Sequence, residues 1–210
     1  MTEDLLAATV LSLRVSLAAT VLASLVGIPL GTCLGSTRFP GRRTLVVATN
    51  ALMAVPTVLI GLLVYALLSK RGPLGPLGLL YTPTAMIFGE ALLALPLIVA
   101  LSRAAVENLD VRAKETAVTL GAGPFRTVMV LANEARPALL AAILGAFGRV
   151  VSELGIALMV GGNIRGETRT LTTTMTLATS RGDFELAAAL GVVLLVLALG
   201  VVLLAEVMRR

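Results

Sequence analysis

The sequence predicts an all-α membrane protein of about five transmembrane helices in a single domain, and three observations carry that expectation. Apolar residues make up 57% of the 210 positions, against about 45–50% in soluble domains. Charged residues are only 14%, and they gather between the apolar runs rather than inside them. Five of those runs are close to or above the ~20 helical residues that cross about 30 Å of hydrocarbon. A soluble core of this size has too little interior to bury so many continuous apolar runs.

The first run covers residues 5–35, with Arg14 near its start and Pro29 near its end. At about 1.5 Å per residue it reaches roughly 46 Å, so one end projects from the bilayer or the helix tilts. The second covers 45–68 with Pro56 inside, and the third 84–101 with Glu90 and Pro96 inside. The fourth, 138–160, carries Arg149 and Glu153, and the fifth, 185–208, is almost unbroken Ala, Leu, Val and Gly. An internal proline removes a helical hydrogen bond, so Pro56 and Pro96 are candidate kinks. Between the runs, 36–44 contains Pro40 and Gly41 and reads as a tight turn, while 69–83 is Gly- and Pro-rich and reads as an irregular loop. Residues 103–137 are charged and helix-prone. Residues 161–184 are polar and Thr-rich, and within them 168–179 reads as a short re-entrant or surface helix whose hydroxyls face solvent, an anion or a partner.

Basic residues orient the chain. Arg38, Arg42, Arg43, Arg103, Arg112, Lys114, Arg126, Arg136, Arg209 and Arg210 fall at one end of the spans. Lys70, Arg71, Arg165, Arg169 and Arg181 fall at the other. The richer end is expected in the cytoplasm, which puts the N-terminus outside and the C-terminus inside. Arg14 is expected to snorkel near the external end. The acidic start Met1-Thr2-Glu3-Asp4 lacks the basic segment of a cleaved signal peptide. With no His and one cysteine, Cys33, the chain offers no internal disulfide and no Cys- or His-based metal site or catalysis. No cofactor and no nucleic-acid partner are expected.

The long charged loop is the informative segment. Residues 110–120 contain no Gly or Pro and open on Asp110, a good N-cap. Gly121 and Gly123 then break the helix, and Pro124 suits the first position of another. The result is a short helix, a sharp turn and a second short helix. Physics alone leaves two readings open, an amphipathic linker on the bilayer surface or a docking element. Glu115-Thr116-Ala117, three residues and then Gly121 resembles the Glu-Ala-Ala…Gly motif of ABC importer permeases, with Thr116 in place of the first Ala. Leu11-Ser-Leu-Arg14, Pro56 followed by Gly61, and Ala94-Leu-Pro96 resemble the same permeases at matching places. The C-terminal third is similar to the molybdate, sulfate and tungstate group through Arg149-Val-Val-Ser-Glu153-Leu-Gly155, Val160-Gly-Gly-Asn163-Ile and Gly182-Asp183-Phe184. Two departures stand out: Ser152-Glu153-Leu154-Gly155 where Gly-Glu-aromatic-Gly is usual, and Asn133-Glu134-Ala135-Arg136 where a Leu-Pro pair is usual. Together with the Thr-rich 168–176 they look most like the tungstate branch, with molybdate and sulfate open.

The resemblance implies a type I ABC importer permease fold in the inner membrane. It also implies an extracytoplasmic oxyanion-binding protein and a separate ATPase, since the chain has no phosphate-binding Gly-x-x-x-x-Gly-Lys-Ser/Thr loop. The chain is then a transport subunit and not an enzyme. Five helices enclose a path poorly, so a homodimer around a two-fold axis is expected. Glu115, Thr116, Ala117 and Gly121 would couple to the ATPase, Glu115 as a polar contact, Ala117 as part of a small face that seats in a groove, and Gly121 through the turn. Arg149, Glu153 and Glu90 are the candidates for the translocation path, because ionisable groups at that depth usually face a cavity or the bundle interior. The alternatives are a self-neutralising i,i+4 pair for Arg149 and Glu153 and a buried hydrogen-bonding carboxyl for Glu90. Rival classes are an ATP-independent channel or secondary transporter and a purely structural subunit. The first lacks a duplicated, discontinuous-helix architecture, and the second leaves the buried charges without a role.

Overall fold

The structure, a computed structural model, describes residues 2–209; Met1 and Arg210, the latter counted among the basic residues above, lie outside the described residues. Its spine is a pair of long helices, α1 (Thr2–Ser36) and α4 (Pro83–Glu107), both continuous through their internal prolines, Pro29 and Pro96. Small residues recur every fourth position of α1 at Ala19, Ala23, Gly27, Gly31 and Gly35, which puts them on one helical face. That face meets α4. A Cβ at Gly31 would stand 2.5 Å from the Val99 carbonyl oxygen, and one at Gly35 would stand 2.8 Å from the Arg103 carbonyl oxygen. Only glycine lets the two backbones approach this closely, as in helix pairs packed inside lipid. Ala91, Ala94 and Ile98 of α4 fill the other side of the contact, with Ala146 and Val150 of a later helix.

Residues 45–68 do not form one helix. They divide into α2 (Arg42–Met53) and α3 (Thr57–Leu68), bent by 96°. Pro56 lacks an N–H and disfavours helical geometry at Val55, so the chain turns there, with Pro56 extended at ψ 131°. α4 is longer than the run 84–101 and continues to Glu107. The loop beyond it holds α5 (Val111–Thr119) and α6 (Pro124–Glu134), and α6 bends by 71° into α7 (Arg136–Val151) with Pro137 in the first turn of α7.

The fourth run also departs from a continuous helix over 138–160. α7 stops at Val151, and a short segment ending in a π-helical turn, Ala157–Gly161, follows a break at Ser152-Glu153-Leu154. After it come α8 (Leu171–Ser180) and α9 (Phe184–Arg209). Among the described residues three helices, α1, α4 and α9, are each long and apolar enough to cross a membrane, and the number is five when each bent pair counts as one span.

The π-turn is buried. Ile156, Ala157 and Val160 pack against Val15 of α1, Val64 and Leu68 of α3, and Met86 of α4. Glycines open the space: Cβ atoms at Gly89 and Gly161 would stand 2.6 Å from Ile156 Cγ2 and 2.8 Å from Met86 Sδ. α9 lies outermost, and Val192, Leu195, Val196, Leu199, Val202 and Leu203 leave an exposed apolar face suited to lipid.

Candidate functional site

Two regions collect the residues singled out by the sequence. The first is the turn between α5 and α6. Asp110 caps α5 by accepting a hydrogen bond from the Arg112 N–H at 2.9 Å. At the other end the Ala122 N–H reaches the Ala117 carbonyl and the Gly121 N–H reaches the Val118 carbonyl, both at 3.0 Å. Those two bonds form a Schellman motif, which needs a left-handed residue between them. Gly121 provides it at φ +82°. Pro124 then opens α6 at its first position, where no N–H is required.

This turn projects from the bundle. Glu115 and Thr116 are exposed, and Leu120 (81%) and Phe125 (76%) are among the most exposed large apolar side chains in the molecule. Ala117, on the opposite side of α5, faces inward at 6% exposure and packs on its own chain. The inner side of the same end is tied down by polar bonds. Lys114 Nζ donates to the Ser36 carbonyl at 2.5 Å, Arg42 Nε donates to the Leu34 carbonyl at 2.7 Å, and Arg42 and Arg103 both pair with Glu107.

The second region is the break after α7. Arg149 NH1 donates to Glu153 Oε2 at 2.8 Å, an i,i+4 contact. The two partners sit very differently. The Glu153 side chain is 3% exposed, while that of Arg149 is 45% exposed. The second carboxylate oxygen of Glu153 accepts from the Gly155 N–H (2.9 Å) and the Ile156 N–H (3.4 Å), so it caps the segment that restarts after the break. Thr172 of α8 closes the group by donating to the Glu153 carbonyl at 3.0 Å. Glu153 is therefore enclosed by its own chain, and Arg149 alone of the three path candidates reaches the molecular surface. Glu90 is buried in the contact between α1 and α4, where the Ser16 hydroxyl donates to it at 3.4 Å.

The Thr-rich segment forms the short helix α8, with its first hydroxyls turned inward and Thr179 exposed. Thr168, Thr170, Thr172 and Thr173 are buried and bonded within the chain. Thr168 donates to the Gly161 carbonyl at 2.5 Å, and Thr170 and Thr173 form a reciprocal capping box that starts α8. The pattern Thr-x-x-Thr carries that cap locally, whereas the bond from Thr172 to Glu153 crosses 19 residues and has no sequence signature. Ser12 is a further residue that sequence patterns miss; its hydroxyl receives the Leu171 N–H at 2.9 Å and so docks α8 on α1. At this end of α1, Arg165 pairs with Asp4 through two bonds of 2.7 and 3.1 Å, and Arg14 lines an adjoining cleft.

Fold and projecting loop together define a helical protein with helices of membrane-spanning length. Residues 27–210 match the family described as binding-protein-dependent transport system inner membrane component, and the chain belongs to that family. Among its relatives, the tungstate uptake system permease protein TupB of Peptoclostridium acidaminophilum is 42% identical, over 88% of this chain and 81% of its own. A probable anion ABC transporter permease protein of Haloferax volcanii is 38% identical over 90% and 84%. The molybdenum transport system permease protein ModB of Azotobacter vinelandii is 35% identical over 81% and 79%. Among solved structures, an inward-facing MetNI methionine ABC transporter superposes with a TM-score of 0.81, over 100% of this chain and 96% of that one. At 20% identity that likeness describes the fold.

Proposed function

We propose that the chain is the membrane-spanning subunit of an ATP-driven oxyanion importer, with tungstate as the substrate. The observation that carries this reading is the α5–α6 turn: a capped helix, a left-handed Gly121 and an exposed face bearing Glu115, built on the segment that resembles the coupling motif of ABC permeases. Identity of 42% to a tungstate permease against 35% to a molybdenum permease supports tungstate.

In this reading the α5–α6 end is cytoplasmic, the N-terminus is outside and the C-terminus inside, as the basic-residue bias favours. A separate ATPase meets Glu115, Thr116 and the exposed apolar residues beside them. An extracytoplasmic binding protein delivers the anion to the opposite end. Two copies pair around a two-fold axis with the path between them. Arg149, half exposed at membrane depth, faces that path, and Glu153 beneath it holds the guanidinium in place. Nucleotide-driven closure of the ATPase moves α5, and the spans rock between outward- and inward-facing states.

The test is reconstitution of the permease with its ATPase and binding protein in vesicles. ATP-dependent uptake of tungstate is expected, with molybdate and sulfate competing less well. Gly121→Val should abolish it, because a β-branched residue in the left-handed region costs about 1–3 kcal/mol and displaces the turn. That variant should still insert and dimerise while failing to co-purify with the ATPase. Uptake by Gly121→Val at the wild-type rate would refute the coupling role of this turn.

A further inference from the structure

α1 ends in a turn whose carbonyls meet two cations brought from other helices. Arg42, at the start of α2, bonds the Leu34 carbonyl at 2.7 Å, and Lys114, on α5, bonds the Ser36 carbonyl at 2.5 Å. The last carbonyls of a helix lack intrahelical partners and carry the negative end of the helix dipole, so cations are favoured there. Arg42 also pairs with Glu107, the last residue of α4, and Arg103 bonds the same carboxylate at 2.7 Å. The ends of α1 and α4 are thereby joined through side chains as well as through the glycine contact.

α5 follows α4 after only Asn108, Leu109 and Asp110. The link is short, and its Asn108 and Leu109 N–H groups bond back to the Ala104 and Val106 carbonyls. Lys114 supplies a second attachment. Among the described residues, it makes the one side-chain hydrogen bond from α5 to a membrane-spanning helix. Ala113, beside it, packs on the cluster of Val106, Leu131 and Leu139. To the apolar seating of Ala113 and Ala117, Lys114 adds a polar tie that runs from α5 directly to the end of α1.

We infer that Lys114 is a positioning residue of the transport cycle: it holds α5 to the end of α1, so that force applied to α5 moves α1 and α4 as one body. The inference rests on α5 being the ATPase-facing helix, as set out under Proposed function. An ammonium suits the task, because it has three donors on a flexible stem and no acceptor to leave unpaired. Neither the Asp110 cap nor the Gly121 turn involves its side chain, so α5 itself survives its removal.

Lys114→Met keeps the apolar stem and removes the charge, and Lys114→Arg restores a cation. In vesicles holding permease, ATPase and binding protein, the quantity to measure is tungstate imported per ATP hydrolysed. Lys114→Met should lower that ratio about tenfold, the scale of one hydrogen bond to a charged group, while the ATPase still co-purifies. Lys114→Arg should recover most of it. Spin labels on cysteines at Arg38 and Thr119, in a Cys33→Ala background, read the tie directly. Their distance distribution should be narrow in wild type and Lys114→Arg and broad in Lys114→Met. A Lys114→Met complex with the wild-type ratio and a narrow distribution overturns the inference. A wild-type complex that hydrolyses ATP without importing tungstate would instead remove the importer reading, and the spin-label comparison would still decide whether Lys114 holds α5 to α1.

Discussion

Glu153 carries three hydrogen bonds on one buried carboxylate: Arg149 on one oxygen, and the Gly155 and Ile156 N–H groups on the other. Its first task is therefore structural, since without it two backbone donors at the break are left unpaired. Loss of Arg149 leaves Oε2 without its partner, but Oε1 keeps its two backbone donors, so the carboxylate is stranded only partly. The two substitutions should differ accordingly. Glu153→Ala should lower the thermal stability of purified protein by about 1–3 kcal/mol, the cost of unmet buried polar groups. Glu153→Gln should lose less, because an amide oxygen still accepts from the backbone. Arg149→Ala should lose less stability than Glu153→Ala yet more uptake. The double variant should fall short of additivity by more than about 0.5 kcal/mol. Strict additivity in thermal unfolding would mean that the pair seen at 2.8 Å is not energetically coupled.

Between elements, the contact of α1 with α4 depends on absent side chains rather than on present ones. A Cβ at Gly31 would meet the Val99 carbonyl oxygen at 2.5 Å and Ser102 Cβ at 2.6 Å, and backbone cannot move aside as a flexible side chain can. Ser102 is fully buried with no hydrogen-bond partner for its hydroxyl, which fits a residue placed there for its size. Gly200 of α9 makes a control, since a Cβ there meets nothing within 4 Å. Gly31→Val should destabilise the protein by about 1–3 kcal/mol, as overpacked cores do. Gly200→Val should stay within about 0.5 kcal/mol, as exposed substitutions do. A thermal-shift assay on detergent-solubilised protein compares them, and equal shifts would mean that α1 and α4 are not held by close backbone approach. The α2–α3 bend has a different origin. There a missing N–H at Pro56 ends one helix and the extended proline starts the next.

For the whole molecule, the arrangement has two chemically distinct ends. The α5–α6 end carries Arg38, Arg42, Arg103, Arg112 and Lys114, and its inner polar bonds tie α1, α4 and α5 together. The opposite end carries Arg165, Arg169 and Arg181 around Asp4 and Asp183. Single cysteines at exposed Thr119 and exposed Glu167, in a Cys33→Ala background, test which end faces the cytoplasm. An impermeant thiol reagent on intact cells should label position 167 and spare 119 until the cells are broken. Labelling of 119 in intact cells would invert the topology and with it the assignment of the ATPase-facing end.

Composition and short-range chemistry determined the class, the number of apolar runs and the helix–turn–helix at Asp110, Gly121 and Pro124, because these depend on residues within a few positions of one another. Hydrophobic length marks a span whatever packs beside it, and a cap or a left-handed turn is set by its own backbone. The same locality made the runs 45–68 and 138–160 look continuous, since apolar composition persists through both breaks. Tertiary structure decided what composition cannot express. It set the inward turn of Ala117, the burial of four residues of the Thr-rich segment, and the division of Arg149 and Glu153 between surface and interior. It also brought Lys114 onto a carbonyl 78 residues away. Such contacts arise from the packing of α1 against α4, which places distant chain segments side by side with no periodicity in the sequence to mark the pairing.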